Sequence, residues 1–210
     1  EGLANSFRKA FSDELQGIDI NTFKMNEVQK SEIIGRISRF FDSRDWYRAK
    51  GLTYKLSMLF FGPPGTGKTT LAKLIAAHFK RDIYILDLSI MTNSTLVKAL
   101  SKIKPGSFLL MEDVDEAGNA VKKRKTDDDD DGGQPLDAGQ LLGFSLTMSG
   151  MLNAIDGVIG LDNIVIMMST NHPDRLDDAI RRKSRIDNEY LIDELTPREI
   201  WEYCIQMYDL

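Results

Sequence analysis

The chain has 210 residues, 42% hydrophobic and 28% charged, enough to bury the core of one domain with an appendage. A net charge of −5 argues against a nucleic-acid-binding surface and leaves room only for a local basic patch. The single Cys204 excludes an internal disulfide and fits a reducing, intracellular compartment. No apolar run reaches the roughly 18 residues of a membrane span, and no secretory signal opens the chain. The first residue is Glu1, as in a processed or excised piece, which is compatible with an anchor upstream.

In chain order, residues 1–35 form an amphipathic lead-in. Over 24–50, Met25, Val28, Ile33, Ile34, Ile37, Phe40 and Phe41 recur at near-helical spacing, and a second short helix carries Trp46 and Tyr47. Residues 1–50 are therefore expected to be a helical lead-in to a core at 51–195, with 196–210 the start of a C-terminal helical segment. Strands are predicted at Leu56–Phe61, Ile83–Leu88, Ser107–Met111, Asn163–Ser169 and Glu189–Ile192. Helical patterns lie between them at 69–79, 94–103, 146–156 and 174–182, and a last one begins at Pro197 with Thr196 as its cap. Near-continuous apolar strands alternating with helices predict an α/β fold, a parallel five-stranded sheet flanked by helices, with ligands at its carboxyl edge. The stretch from Ala117 to Gln140 breaks the pattern: KKRK faces DDDDD, paired glycines follow, and apolar residues are scarce. It reads as a charged surface insertion. KKRK as an import signal or anion site is disfavoured by the competing aspartates beside it.

GPPGTGKTT at 62–70 satisfies G-x-x-x-x-G-K-S/T between a strand and a helix, the context a P-loop requires. Gly65 and Gly67 free the backbone so that successive N–H groups converge on an anion. Pro63 and Pro64 have no N–H, so donors come from Gly65, Thr66, Gly67, Lys68, Thr69 and Thr70, with the following helix dipole aimed at the same point. Lys68 supplies positive charge for the β and γ phosphates, and the Thr69 hydroxyl is a hard oxygen ligand for Mg²⁺. FLLMEDVD then brings Glu112, Asp113 and Asp115 to the end of an apolar strand, where idle carboxylates would be costly. One completes the Mg²⁺ shell and the next polarises a water for attack on the γ-phosphate. IVIMMSTN ends a further strand in Asn171, whose amide suits orienting that water or contacting the γ-phosphate.

The order of these motifs, followed by paired arginines in RRKSR, resembles the AAA ATPases over about three quarters of the chain. MLFFGPPGTGKTTLAKLIAAHF, FLLMEDVD, TMSGMLNAIDGV and STNHPDRLDDAIRRKSRID look more narrowly like one mitochondrial AAA translocase family and its plant and microbial relatives. Its members assemble the cytochrome bc complex by moving the folded Rieske iron–sulfur subunit across the inner membrane. The resemblance implies that Pro64 and Gly65 to Thr70 hold ATP, with Lys68 and Thr69 as the Walker A pair. It makes Glu112 the metal-side acid, Asp113 the catalytic acid and Asn171 the sensor. Arg182 and Arg185 match arginine fingers that reach a neighbouring subunit's nucleotide.

Glu112 precedes Asp113, the reverse of most AAA proteins and an order this translocase family shares. Arg182-Lys183-Ser184-Arg185 replaces the usual Arg-Pro-Gly-Arg. The chain ends at Leu210, so the small helical lid of AAA modules is expected to be truncated or absent. DLSIMTNSTL at 87–96 lacks the aromatic and glycine of a pore loop that threads unfolded chains.

The function implied is Mg²⁺-dependent ATP hydrolysis in a homo-oligomeric ring acting on a folded protein, without nucleic acid. Any membrane contact would lie outside this chain. The setting would be the matrix side of the mitochondrial inner membrane for a translocase, otherwise the cytoplasm. A nucleotide-gated scaffold with little turnover is the main alternative, ahead of a DNA-associated AAA ATPase and a small-molecule kinase. The last of these has no reason to carry Asn171 followed by paired arginines.

Overall fold

Alternation along the strands places apolar side chains on both faces of one sheet. In β2 (Lys55–Phe61), Met58 and Phe60 pack on one face and Leu59 on the other, all fully buried. The computed structural model describes residues 7–10, 19–117, 146–158, 161–183 and 185–208. In β4 (Phe108–Glu112), Phe108 and Leu110 join Met58, while Leu109 and Met111 join Leu59. In β5 (Ile164–Thr170) every residue is buried, with Val165 and Met167 on the first face and Ile166 and Met168 on the second. This two-sided burial explains runs that are apolar throughout.

The first face is covered by α1 (Glu27–Asp42), through Ile33, Ile37 and Phe40, and by α3 (Lys68–His78), through Leu71, Ala72 and Ile75. The second is covered by α4 (Asn93–Leu100), through Leu96 and Ala99, and by α5 (Met148–Asn153), through Met151 and Leu152. Each of the Leu, Ile, Phe and Met side chains among these contributes about 1.5–3 kcal/mol. A short α2 (Arg44–Ala49) follows α1. Local chemistry sets the helix ends. Asn26 accepts from the N–H groups of Val28 and Gln29 at 3.0 and 3.1 Å at the start of α1. Thr196 and Glu199 form a reciprocal box at the start of α6 (Pro197–Tyr208).

The strand order is β1–β3–β4–β5–β2–β6, where β1 is Phe7–Ala10, β3 is Ile83–Asp87 and β6 is Asn188–Leu191. The five strands from β2 to β6 run parallel, as expected. To them is added β1 (Phe7–Ala10), antiparallel to β3 with Phe7 opposite Leu86. The lead-in was expected to be helical. FRKA is too short and too charged to show strand alternation, and it is placed by the ladder offered by β3.

The helix expected at 174–182 is also corrected. A 3-10 turn at Pro173–Arg175 gives way to extended backbone at Leu176, and the Asp177 carboxylate accepts from the Ala179 N–H at 2.8 Å. Aspartate bonding to nearby backbone competes with helix here. The charged insertion at 117–140, with KKRK and DDDDD, lies beyond Ala117 outside the described residues. Among the described residues no helix is long and apolar enough to cross a membrane.

Candidate functional site

β2 delivers the chain into the loop Gly62–Gly67, and α3 carries it away. Gly62 sits at φ 148°, and a β-carbon there would lie 2.1 Å from the Ile192 carbonyl oxygen just past β6. Gly67, at φ 87°, faces the Phe23 ring, which a β-carbon would approach to 2.8 Å. Both glycines thus meet a steric and a conformational demand at once. The first N–H groups of α3 have no partner within the helix and open onto this loop.

Lys68 is buried, and its ammonium donates to the carbonyls of Gly62 at 2.9 Å and Pro63 at 2.7 Å. Burial lowers its pKa, and the nearby Asp113 carboxylate opposes that shift. Thr69 turns the other way: its hydroxyl donates to Oε1 of Glu112 at 2.5 Å. β5 lies between β2 and β4, so Glu112 reaches α3 across the end of β5 and not from an adjacent strand.

Asp113 follows in the left-handed region, at φ 50° and ψ 52°, a conformation aspartate tolerates. Its carboxyl is held above the usual carboxylate range, first by burial and then by the negative charge of Asp115 and Glu112. The Asn171 amide stands 3.4 Å from its Oδ1. Asp115 was noted in the sequence without a role. It is 4% exposed and accepts from the hydroxyl of the fully buried Thr170 at 2.5 Å.

The arginines lie elsewhere. Arg185 binds Asp156, with Nε 3.1 and 3.0 Å from its two oxygens and Nη2 at 2.5 Å, and Nη1 donates to the Ala179 carbonyl at 2.7 Å. That pairing lowers the Asp156 pKa and raises that of Arg185. Arg182 is exposed, and its carbonyl accepts from the N–H groups of Arg185 and Ile186. Neither arginine is bonded to the loop or to the acids. Ser184 lies outside the described residues.

Beside the loop opens a cleft of about 820 Å³, lined by Pro64, Gly65, Thr66, Gly67 and Thr70 on one side. Lys24, Lys73, Asp193 and Glu194 add charge to the lining, and Thr22 and Phe23 before the core, Leu195 at its end and Tyr203 in α6 also line the cleft. Aromatic and apolar side chains beside the glycine-rich loop suit a nucleoside. Sequence reasoning missed Thr22, Phe23, Leu195 and Tyr203, since they are far apart in the chain and carry no local motif. For Mg²⁺, the Thr69 hydroxyl and Glu112 carboxylate are hard oxygen donors 2.5 Å apart. Two protein oxygens with phosphates and waters match the way this ion is usually held. Among the described residues there is no group of three or more metal-ligating side chains, a set this mode does not need.

Comparison with known proteins adds the following. The sequence profile of the ATPase family associated with various cellular activities (AAA) matches residues 58–194. The chain is 33% identical over 183 residues to the probable mitochondrial chaperone bcs1 of Schizosaccharomyces pombe, covering 85% of this chain and 37% of that protein. It is 37% identical over 171 residues to an AAA-ATPase of Arabidopsis thaliana, covering 80% and 34%. It is 33% identical over 183 residues to the mitochondrial chaperone BCS1 of Homo sapiens, covering 82% and 40%. The chain thus spans between a third and two fifths of these relatives' length.

Proposed function

The chain belongs to the AAA ATPase family, and from that premise we propose that it binds ATP with Mg²⁺ and hydrolyses the γ-phosphate within a ring of its own copies. The single observation that carries this reading is the Thr69–Glu112 hydrogen bond at the mouth of the P-loop. It joins the two oxygen donors the chemistry needs, one from the helix after β2 and one from the end of β4. Bound there, Mg²⁺ would supply electrostatic stabilisation of the charge that develops on the phosphates.

The residues divide the work. Gly65 to Thr70 present backbone N–H groups to the phosphates, and Lys68 exchanges its carbonyl partners for phosphate oxygens. Asp113 takes a proton from the attacking water, and Asn171 orients that water or the γ-phosphate. The Phe23–Tyr203 cleft receives the nucleoside. Arg182 and Arg185 act on a neighbour's nucleotide.

The work done with this energy is conformational, on a folded protein and not on nucleic acid. The relatives named mitochondrial chaperones support a protein substrate and a mitochondrial setting. The segment after β3 supports handling of a folded partner. It passes through a 3-10 turn at Leu88–Ile90 into α4 and carries no aromatic residue for gripping an extended chain.

One observation favours a second reading, a nucleotide-gated scaffold with little turnover: Arg185 is occupied by Asp156 of its own chain. Phosphate release measured with and without Mg²⁺, over a range of protein concentrations, separates the two. Release that needs Mg²⁺ and rises steeply with concentration supports the ring ATPase. Tight ATP binding without release supports the scaffold.

A further inference from the structure

The geometry points to Asp115 and Thr170 as positioning residues for hydrolysis, a strut that sets the separation of Asp113 and Asn171; this rests on the reading of those two residues given above. The β4–β5 backbone ladder ends at the pair Met111–Met168. Beyond it no ladder pair joins the two segments directly: Glu112 still pairs with Asp87 of β3 and Thr170 with Phe61 of β2, and Asp113 and Asn171 lie past both ladders. The direct contact there, Asn171 to Asp113 at 3.4 Å, is long for a hydrogen bond and fixes little.

The Asp115–Thr170 bond is of another kind. At 2.5 Å, with the partners 4% and 0% exposed, it is a charge-assisted bond shielded from water. Both ends are rigidly coupled to the residues that matter. On one side, a 3-10 turn at Val114–Glu116 closes with the Glu116 N–H on the Asp113 carbonyl at 2.9 Å, so Asp115 and Asp113 move as one unit. On the other, the Thr170 hydroxyl that donates to Asp115 also accepts from the His172 N–H at 2.9 Å. That second bond closes a tight turn around Asn171, whose backbone is pinned by the hydroxyl of the residue before it. One oxygen therefore links the turn carrying the sensor amide to the turn carrying the general base.

A base and a water-orienting amide must be held to a fraction of an ångström, and a misplacement of about 1 Å costs on the order of 10²-fold in rate. Thr170→Val keeps the shape of the side chain and deletes the oxygen. It should lower kcat by about 10²-fold while ATP affinity stays within about threefold, because the P-loop, Thr69 and Glu112 are untouched. Thr170→Ser restores the hydroxyl and should return kcat to within about threefold of the parent. Asp115→Asn keeps an acceptor oxygen for Thr170 and should fall between the two. If Thr170→Val does not fold, Thr170→Ala, which leaves room for a water beside Asp115, takes its place with the same expected split.

The measurements are steady-state ATPase and calorimetric ATP binding on each variant beside the parent. A parent that hydrolyses ATP with Thr170→Val equally active overturns the strut alone. Loss of affinity and kcat together, with no rescue by serine, also overturns it, as a merely structural effect. A parent that binds ATP and never releases phosphate instead overturns the hydrolytic reading, and the strut falls with it.

Discussion

The Thr69 hydroxyl and the Glu112 carboxylate meet at 2.5 Å although 43 positions and an intervening strand separate them. Glu112→Gln keeps the shape and an acceptor for Thr69 but removes the charge that would face Mg²⁺. ATP should still bind, and the Mg²⁺ concentration needed for half-maximal binding should rise about tenfold or more, in line with losses on perturbing a metal's surroundings. Calorimetric titrations at stepped Mg²⁺ check this, and an unchanged Mg²⁺ requirement would remove Glu112 from the metal shell.

Asp113→Asn separates the adjacent acids. It retains hydrogen bonding with Asn171 and loses only the ability to accept a proton from water. Turnover should drop by about 10²-fold or more with ATP affinity kept. Should this variant instead show the Mg²⁺ phenotype and Glu112→Gln the loss of turnover, the roles are reversed.

The strand, loop and helix around 62–70 and the acids at the end of β4 were legible because each is written in consecutive residues. What escaped depends on contacts across the fold. Phe23 lies 44 positions before Gly67 yet packs on it, and nothing in NTF announces that. β1 escaped because four residues with two charges have no readable period, and its partner strand decides its state. No helix forms over 174–182 because the Asp177 carboxylate accepts from the Ala179 N–H, a local bond that periodicity does not reveal.

Lys68→Ala should abolish measurable ATP binding, since the phosphates lose their buried cation. The variant also loses two bonds to the Gly62 and Pro63 carbonyls. At a net worth of about 1 kcal/mol each, the melting temperature should fall by about 4–8 °C and the fold should survive. Unchanged ATP affinity in calorimetry would reject the loop assignment.

The Asp156–Arg185 pair has a signature in pH. Asp156 is depressed below the ordinary carboxylate value, chiefly by its hydrogen bonds to Arg185. A depressed carboxyl favours the fold above the unfolded-state pKa, and that contribution disappears as pH falls through the lower folded-state value. Arg185→Ala should therefore melt below the parent near neutrality, and the gap should narrow as pH drops below about 4. A gap constant with pH would assign the loss to the Ala179 carbonyl contact instead.

The same arginine decides whether nucleotide sites are shared. A finger supplied by a neighbour stabilises charge on the transferring phosphate and is worth about 10³ to 10⁵ in rate in other phosphate-transfer enzymes. Within one chain Arg185 is held by Asp156 and Ala179 and makes no bond to the loop, so serving a neighbour requires it to exchange those partners for phosphate oxygens. If it does, ATPase per molecule should rise steeply with concentration, and Arg185→Ala should bind ATP and hydrolyse it poorly. Mixing that variant with Lys68→Ala is the decisive arm. Mixed assemblies contain interfaces that pair an intact P-loop from one variant with an intact Arg185 from the other, and part of the activity should return. If co-purification through a tag on one variant shows mixed assemblies and activity does not return, while parent turnover is independent of concentration, Arg185 serves only the ion pair within its own chain.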